Sequence, residues 1–547
     1  MNNSPDSDIY RWFVLGIVMV GTLSVMLNSS IVNVALPHMM SAFSVNRNQI
    51  EWVSTGFMLA GAVAMPAVGW GVGRLGHKNL YLGALALFTF GSVACAFAWS
   101  YNALIVARVI TAVGAGALQP VSMAMVADLF EPHERGKALG IWGTGVMIGP
   151  AFGPTLGGYL TEWFGWRAIF SVNLPIGLVT LLVGAAIIKS DRSVPRLRLP
   201  FDWWGFFFLS MALVSGLLAL SKGQEKGWGS TYILTCFALT IIGLTLFAAI
   251  ESAIKHPLLD LSLFRYFNYS LSMILGVFRS VGLFGGLFLL PIFLQNLAGY
   301  TVIQAGLWVM PAGIVIGVVM PLAGWMADHY SPRWLVTFGT AVAGFALIMY
   351  GYLDPLSGAG MIIGWQVVRG VGLALMMAPL ITVAINSVPP NKVAEASSFL
   401  NVGQRVGGSF GIALLNTYVT NSIIGHSARL GELMGMRSEV FHYFTLHVSQ
   451  ALSRHMQGMP STDSAREVMT SMVLRHAPGL PAGEYGQGLL LSLNAIFHRA
   501  SVMGFDNGFV LAGLIVLAGV PLCLLLKPGW YQESGSQVSE SGKFLGG

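Results

Sequence analysis

Charge is what this chain has least of. Only 10% of its 547 residues are Asp, Glu, Lys or Arg, where soluble domains carry about 25%. That scarcity excludes an ordinary water-facing surface. Cysteine is also scarce. Cys95, Cys236 and Cys523 all lie in apolar runs, which argues against a disulfide framework and for small buried hydrophobes. The sequence has no cluster of metal ligands, no nucleotide-binding loop and no paired acids. An enzyme is therefore disfavoured, and the reading calls for neither metal nor cofactor. His133, His256 and His329 stand singly near polar connections and read as solvated. No small-residue cleavage site follows the first apolar run, which reads as a retained helix. No Asp or Glu falls in the middle of an apolar run. The net charge of +6 comes from Lys and Arg placed in connections, so its sign points to membrane orientation rather than nucleic acid.

Apolar residues supply 55% of the chain. They gather into runs of about 20, each long enough to cross a bilayer. Fourteen spans are expected: 12–36, 50–71, 79–99, 102–127, 137–159, 167–188, 203–221, 231–250, 268–291, 303–323, 333–352, 359–384, 401–421 and 503–527. Arg74, Lys78, Arg135, Lys137, Lys189, Arg192, Arg196, Arg198, Lys255, Arg265, Arg333 and Lys392 fall on one side of this layout. By the positive-inside rule that side and both termini are cytoplasmic. A connection at 422–502 stands out on the other side for its length and its loosely helical apolar spacing. Residues 528–547 read as a polar tail.

Two features suggest movement. Glycines 145, 149, 153 and 157 fall four apart and share one side of a helix. Pro150 and Pro154 interrupt the same helix, and Gly158 follows. A bare helix face admits a second backbone at close range in lipid, and proline is tolerated in membrane bundles. A plain packing seam is the simpler reading; paired Gly-Pro steps favour a tightly packed helix that can bend. The chain also repeats itself. Gly69-Trp70 before Arg74 is echoed by Gly324-Trp325 before Asp328 and Arg333, and Gly149 and Gly153 by Gly407 and Gly411. Spans 1–6 thus correspond to spans 9–14, as in secondary transporters built from internal repeats.

The Gly145–Gly158 stretch resembles the antiporter motif of the major facilitator superfamily. More narrowly, the chain resembles its fourteen-helix drug:proton antiporters, the EmrB/QacA-like multidrug efflux transporters. Trp166-Arg167 leading to Pro175, Asp202-Trp203, Pro257 to Leu261, Gln304-Ala305-Gly306 and Gly407-Gly408-Ser409 match that branch in order. The resemblance implies an all-α polytopic fold with 14 transmembrane helices. It implies a six-helix bundle at 1–188, two extra helices with linkers at 189–266, and a second six-helix bundle at 267–527. It implies export of small toxic organic compounds in exchange for protons from the inner membrane. A periplasmic adaptor (membrane fusion protein) and an outer-membrane channel are the expected partners. The other reading is a dedicated exporter of an anionic or zwitterionic metabolite, such as an aromatic acid or siderophore.

Candidate transport residues follow. Leu27-Asn28-Ser29-Ser30-Ile31-Val32-Asn33 matches a first-helix motif of the family, but its usual carboxylate is replaced by Asn28. An amide cannot carry a proton. Asn28 and Asn33 remain candidates for binding. Arg108, Arg279 and Arg369 fall deep in spans 4, 9 and 12, where an arginine is costly and functional by default. They are expected to share a cavity and favour an anion, although a snorkelling Arg108 is the alternative. Arg405 reads as a contact with a gate or with headgroups. Glu51 and Asp506, expected at the outer openings of spans 2 and 14, are candidates for proton coupling. Gly69, Arg74, Gly76 and Lys78, with Asp328 and Arg333 in the second half, resemble cytoplasmic gate loops. Simple positive-inside anchoring explains Arg74 and Lys78 equally well.

Overall fold

The computed structural model describes residues 5–189, 200–254, 257–355, 357–433 and 484–527. Arg192, Arg196, Arg198, Lys255, His256, the middle of the 422–502 connection and the 528–547 tail lie outside them.

Helices account for nearly all of the described chain. In order, the main ones are α1 (Pro5–Phe43), α2 (Trp52–Ala64), α3 (Val68–Ala96), α4 (Tyr101–Leu129), α5 (Arg135–Phe164), α6 (Asn173–Ile187), α7 (Trp203–Lys226) and α8 (Thr231–Ala253). There follow α9 (Phe267–Phe284), α10 (Leu290–Asn296), α11 (Val302–His329), α12 (Pro332–Tyr350), α13 (Ala359–Asn386), α14 (Val393–Leu433) and α15 (Glu484–Ala518). Among the described residues, eleven helical stretches are long and apolar enough to cross a membrane. Expected spans 2 and 3 form one of them, Arg47–Ala96. Expected spans 5 and 13 are helices of 30 and 41 residues, α5 and α14. Glycine, proline and polar side chains keep their apolarity lower.

Several boundaries differ from the hydropathy reading, because helices outlast the apolar runs that define them. α1 continues through Pro37 to Phe43. α3 crosses the whole expected 72–78 loop, broken only at Gly76, whose φ is 78°. That left-handed conformation suits glycine. Gly69 and Gly73 make no such turn. Span 9 is interrupted by a π turn at Gly285–Leu289. The 422–502 connection is shorter than expected at both ends, since α14 runs to Leu433 and α15 starts at Glu484.

Large aromatic side chains remain exposed near helix ends. Phe97, Trp99, Trp163 and Phe164 lie at one end, and Trp203, Trp204, Tyr330 and Trp334 at the other. Such belts mark the two edges of a bilayer. The second group shares its end, the basic end, with Arg74, Lys78, Arg135 and Lys137.

The α5 helix holds the bundle together through two glycine faces. On the first, the expected ladder meets α1. A Cβ on Gly149 would stand 2.7 Å from the carbonyl carbon of Met26, and one on Gly157 would stand 3.0 Å from the Ile31 carbonyl oxygen. The second face was not read from the sequence. Gly136, Gly140 and Gly143 lie against Gly324, Met320 and Pro321 of α11, and Gly158 lies against Ile303 at its far end. α11 comes from the opposite repeat, so this seam joins the repeats along their length. The echo in α14 behaves alike: Gly407 and Gly411 receive Val277, Ser280 and Val281 of α9.

The extra helices α7 and α8 pack on each other and touch both repeats. Lys222 of α7 bonds Glu51 at 2.7 Å, and Trp228 donates its indole N–H to Thr417 of α14 at 3.1 Å.

Candidate functional site

Arg108 and Asn28 form the centre of the first repeat. Arg108 is 1% exposed and Asn28 wholly buried. The guanidinium donates from Nη1 to Asn28 Oδ1 at 2.7 Å and from Nε to the Val53 carbonyl at 3.1 Å. The Phe57 ring centroid lies 4.0 Å from its central carbon, and Phe170 approaches at 5.7 Å. An aromatic face offsets part of the cost of a buried cation. This is an enclosed position, not that of a snorkelling side chain. Asn28 Nδ2 is buried without a hydrogen-bond partner. Asn33 does not join this site. It is exposed and accepts from the Ser54 hydroxyl at 2.9 Å. Five residues along a helix turn it well away from Asn28.

Arg369 is the counterpart in the second repeat, and its network is its own. It donates to Gln366 Oε1 at 3.0 Å and to the Tyr350 hydroxyl at 3.2 Å. Tyr350 donates to the same Gln366 oxygen at 2.7 Å. Gly286, in the π turn, is bare where the guanidinium lies; a Cβ there would overlap it. Arg279 occupies a third setting. It is 4% exposed, leaves Nε unpaired, and lines a narrow crevice with Ser272, Met273, Leu380 and Gln404. The three arginines therefore have three different sets of immediate neighbours.

Arg405 reaches across the repeats from α14. Its two terminal nitrogens stand 3.6 Å from the place where Gly61 of α2 would carry a Cβ. It is neither at a headgroup nor at the end of a helix. Nearby, Asn401 approaches the Met123 sulfur at 3.7 Å and Ser409 the Met58 sulfur at 3.8 Å.

Glu51 is ion-paired, at 2.7 Å with Lys222 and 3.4 Å with Arg47. Asp506 is not at the opening of its helix. The helix begins at Glu484, so Asp506 lies well within it. Its Oδ1 is buried and has no hydrogen-bond partner.

Of the gate residues, only Asp328 spans the repeats by hydrogen bonds. Its two carboxylate oxygens accept from the Gly136 and Lys137 backbone N–H groups, both at 2.8 Å. Those are orphan donors at the start of α5, whose own N-cap residue, Glu134, supplies no side-chain bond. An acid of one repeat thus caps a helix of the other. Arg135 and Asn386 add a bond at 2.9 Å beside it. Lys78 donates to Ala185 within its own repeat, while Arg74 and Arg333 stack on Trp70 and Trp334. At Gly73, the counterpart of Asp328, no acid is present. Glu395 of α14 instead lies over Gly69, with Cγ 2.6 Å from the place of its Cβ.

Two repeats sealed by glycine faces and a capped helix have a known counterpart. The family model of the Major Facilitator Superfamily matches residues 18–412. The chain belongs to this superfamily. Its relatives include the multidrug export protein EmrB of Escherichia coli, 30% identical over 505 residues, covering 92% of this chain and 94% of that protein. The multidrug resistance protein B homolog of Mycobacterium tuberculosis is 32% identical, covering 74% and 75%. An uncharacterized MFS-type transporter of Bacillus subtilis, YhcA, is 31% identical, covering 94% and 92%. Among solved structures, the proton:xylose symporter XylE superposes with a TM-score of 0.55 at 14% identity, over 82% of this chain and 95% of that one. That match speaks to the fold alone. The protein is a membrane transporter of the superfamily with multidrug efflux relatives, not a member of an enzyme family.

Proposed function

We propose that this transporter exports small toxic organic compounds in exchange for protons, by alternating access between two half-bundles, 1–188 and 267–527. Residues 189–266 bridge them, and the basic end faces the cytoplasm of an inner membrane. The observation that carries this is the α5–α11 seam. It is built of glycines against backbone and apolar side chains, with a Thr144 hydroxyl bond to the Gly317 carbonyl and one carboxylate cap at the basic end. Such a seam lets two rigid bodies tilt without breaking an ion-pair network. In double-membrane cells, an adaptor and an outer-membrane channel would complete the route, docked on the long connection after α14. The test is ethidium uptake into inverted vesicles on imposing an acid-inside pH step. Accumulation that collapses with a protonophore supports the reading. Uptake indifferent to the gradient overturns it.

A second reading, an anionic or zwitterionic metabolite, is favoured by one observation. Among the described residues, Arg108, Arg279, Arg369 and Arg405 form no ion pair with a carboxylate. Unpaired buried cations attract anions. Export of matched anionic and cationic dyes by wild type and Arg279→Ala decides between the two. Selective loss of the anionic dye supports this second reading; equal loss, or preference for the cation, removes it.

A further inference from the structure

At the basic end, three parts of the chain far apart in sequence bring carboxyl groups together. Asp202 caps α7, accepting from Gly205 N–H at 3.0 Å through Oδ1. Glu251 lies in the last turn of α8. Its Oε1 accepts from Leu258 and Leu259 at 3.1 and 3.3 Å. Both carboxyl groups crowd the spot where Gly205 would carry a Cβ. Glu395 stands in the first turn of α14, over Gly69 of α3.

Each of the three has a buried oxygen with no hydrogen-bond partner: Asp202 Oδ2, Glu251 Oε2 and Glu395 Oε2. Asp202 is 9% and Glu251 5% exposed. The surroundings are largely apolar. Trp70 of α3 meets Phe201 edge-on at 4.8 Å, and both pack with Phe206, Phe247, Leu258 and Phe399. A buried carboxylate oxygen left without a partner in an apolar shell is satisfied most simply by a proton.

Other charged groups nearby are already engaged. Lys392 bonds Asp260 and also Ser262, the latter at 2.8 Å. The Asp260 backbone N–H serves Glu395, and the Tyr269 hydroxyl donates to the Ala396 carbonyl at 3.0 Å. Arg74 stacks on Trp70 with its central carbon 5.2 Å from the ring centroid, and Arg265 is exposed. Lys255 and His256 lie outside the described residues.

We propose that Glu251 and Glu395, with Asp202 packed beside Glu251, form one proton-binding site at the basic end, and that its proton lets the Gly69 segment, the extra helices and α14 close on one another. The site supplies the acid that Asn28 and Gly73 lack. Burial, opposed by the Asp260 N–H, pushes Glu395 up to about 7, within reach of cytoplasmic pH. For its role in transport, though not for its existence, the site rests on the proton-exchange reading. Glu395→Gln and Glu251→Gln keep the shape and remove the titration.

The test is infrared spectroscopy of the purified full-length protein between about pH 5 and 8, reading the carbonyl stretch of protonated carboxylic acids. Ethidium export is measured in parallel in proteoliposomes. Wild type is expected to lose a carboxylic-acid band as pH rises through neutrality, and each Gln variant to lose part of that band. Glu251→Gln serves if Glu395→Gln fails to fold. A band that titrates identically in wild type and the variant, or no titrating band, overturns the site. A band lost in the variants, with wild-type export blind to the pH gradient, upholds the site and refutes proton exchange.

Discussion

Replacing Asn28 by Ala probes the first repeat most directly. The change removes the acceptor 2.7 Å from Arg108 Nη1 and leaves the guanidinium with the Val53 carbonyl and the Phe57 ring. A hydrogen bond to a charged group contributes about 1.5–3 kcal/mol. The arginine is 1% exposed, so water cannot replace the lost partner. The variant should therefore be less stable by about 2 kcal/mol, a shift of about 30-fold in the folding equilibrium. Asn28→Asp behaves differently. At 2.7 Å and an effective dielectric of about 20, the ion-pair attraction is about 6 kcal/mol. Burying a carboxylate costs several kcal/mol in return, so the stability should stay within about 1 kcal/mol of wild type. Thermal unfolding of the purified proteins, followed by size-exclusion fluorescence, measures both. If the Ala variant melts with wild type while the Asp variant melts far below it, Arg108 does not depend on position 28 and the site is wrongly built.

Three further outcomes are expected. Gly149→Ala should cost about 1–3 kcal/mol through collision with the Met26–Leu27 backbone. Gly140→Ala should cost as much at the α11 seam, and Gly16→Ala, with open space around it, should be neutral or slightly stabilising in the same melting assay. Asp328→Asn should weaken the cap on α5 by about 0.5–2 kcal/mol and speed trypsin cleavage at the basic end. For Glu395, the pKa is raised on folding, from 4.5 to about 7. The folded state then holds more protons than the unfolded state between those values. The Glu395 contribution to stability should be complete below about pH 4.5 and fall by up to about 3 kcal/mol as pH rises to about 7. Glu395→Gln should flatten this slope in melting curves taken across that range.

The sequence by itself determined that the chain crosses a membrane many times, because length and apolarity of a run answer to bilayer thickness and need no neighbour. It also pointed to the repeat and to a glycine ladder on one side of α5, since a four-residue period is a property of one helix. That Arg108 lies deep in its span was legible, because depth can be counted from a helix end; its bond to Asn28 was not. What depends on how helices face one another was decided only by the tertiary structure. Arg279 and Arg369 were expected in one cavity with Arg108, and each has its own set of immediate neighbours. Asp506 moved from a helix mouth to a helix interior once α15 was seen to start at Glu484. Asp328 found its partners on the start of α5, some 190 residues away. Asp202, Glu251 and Glu395 met only because three separate segments share the basic end. A carboxylate's environment is set by atoms that no spacing along the chain records, and that environment decides whether it caps a helix, pairs with a cation or holds a proton.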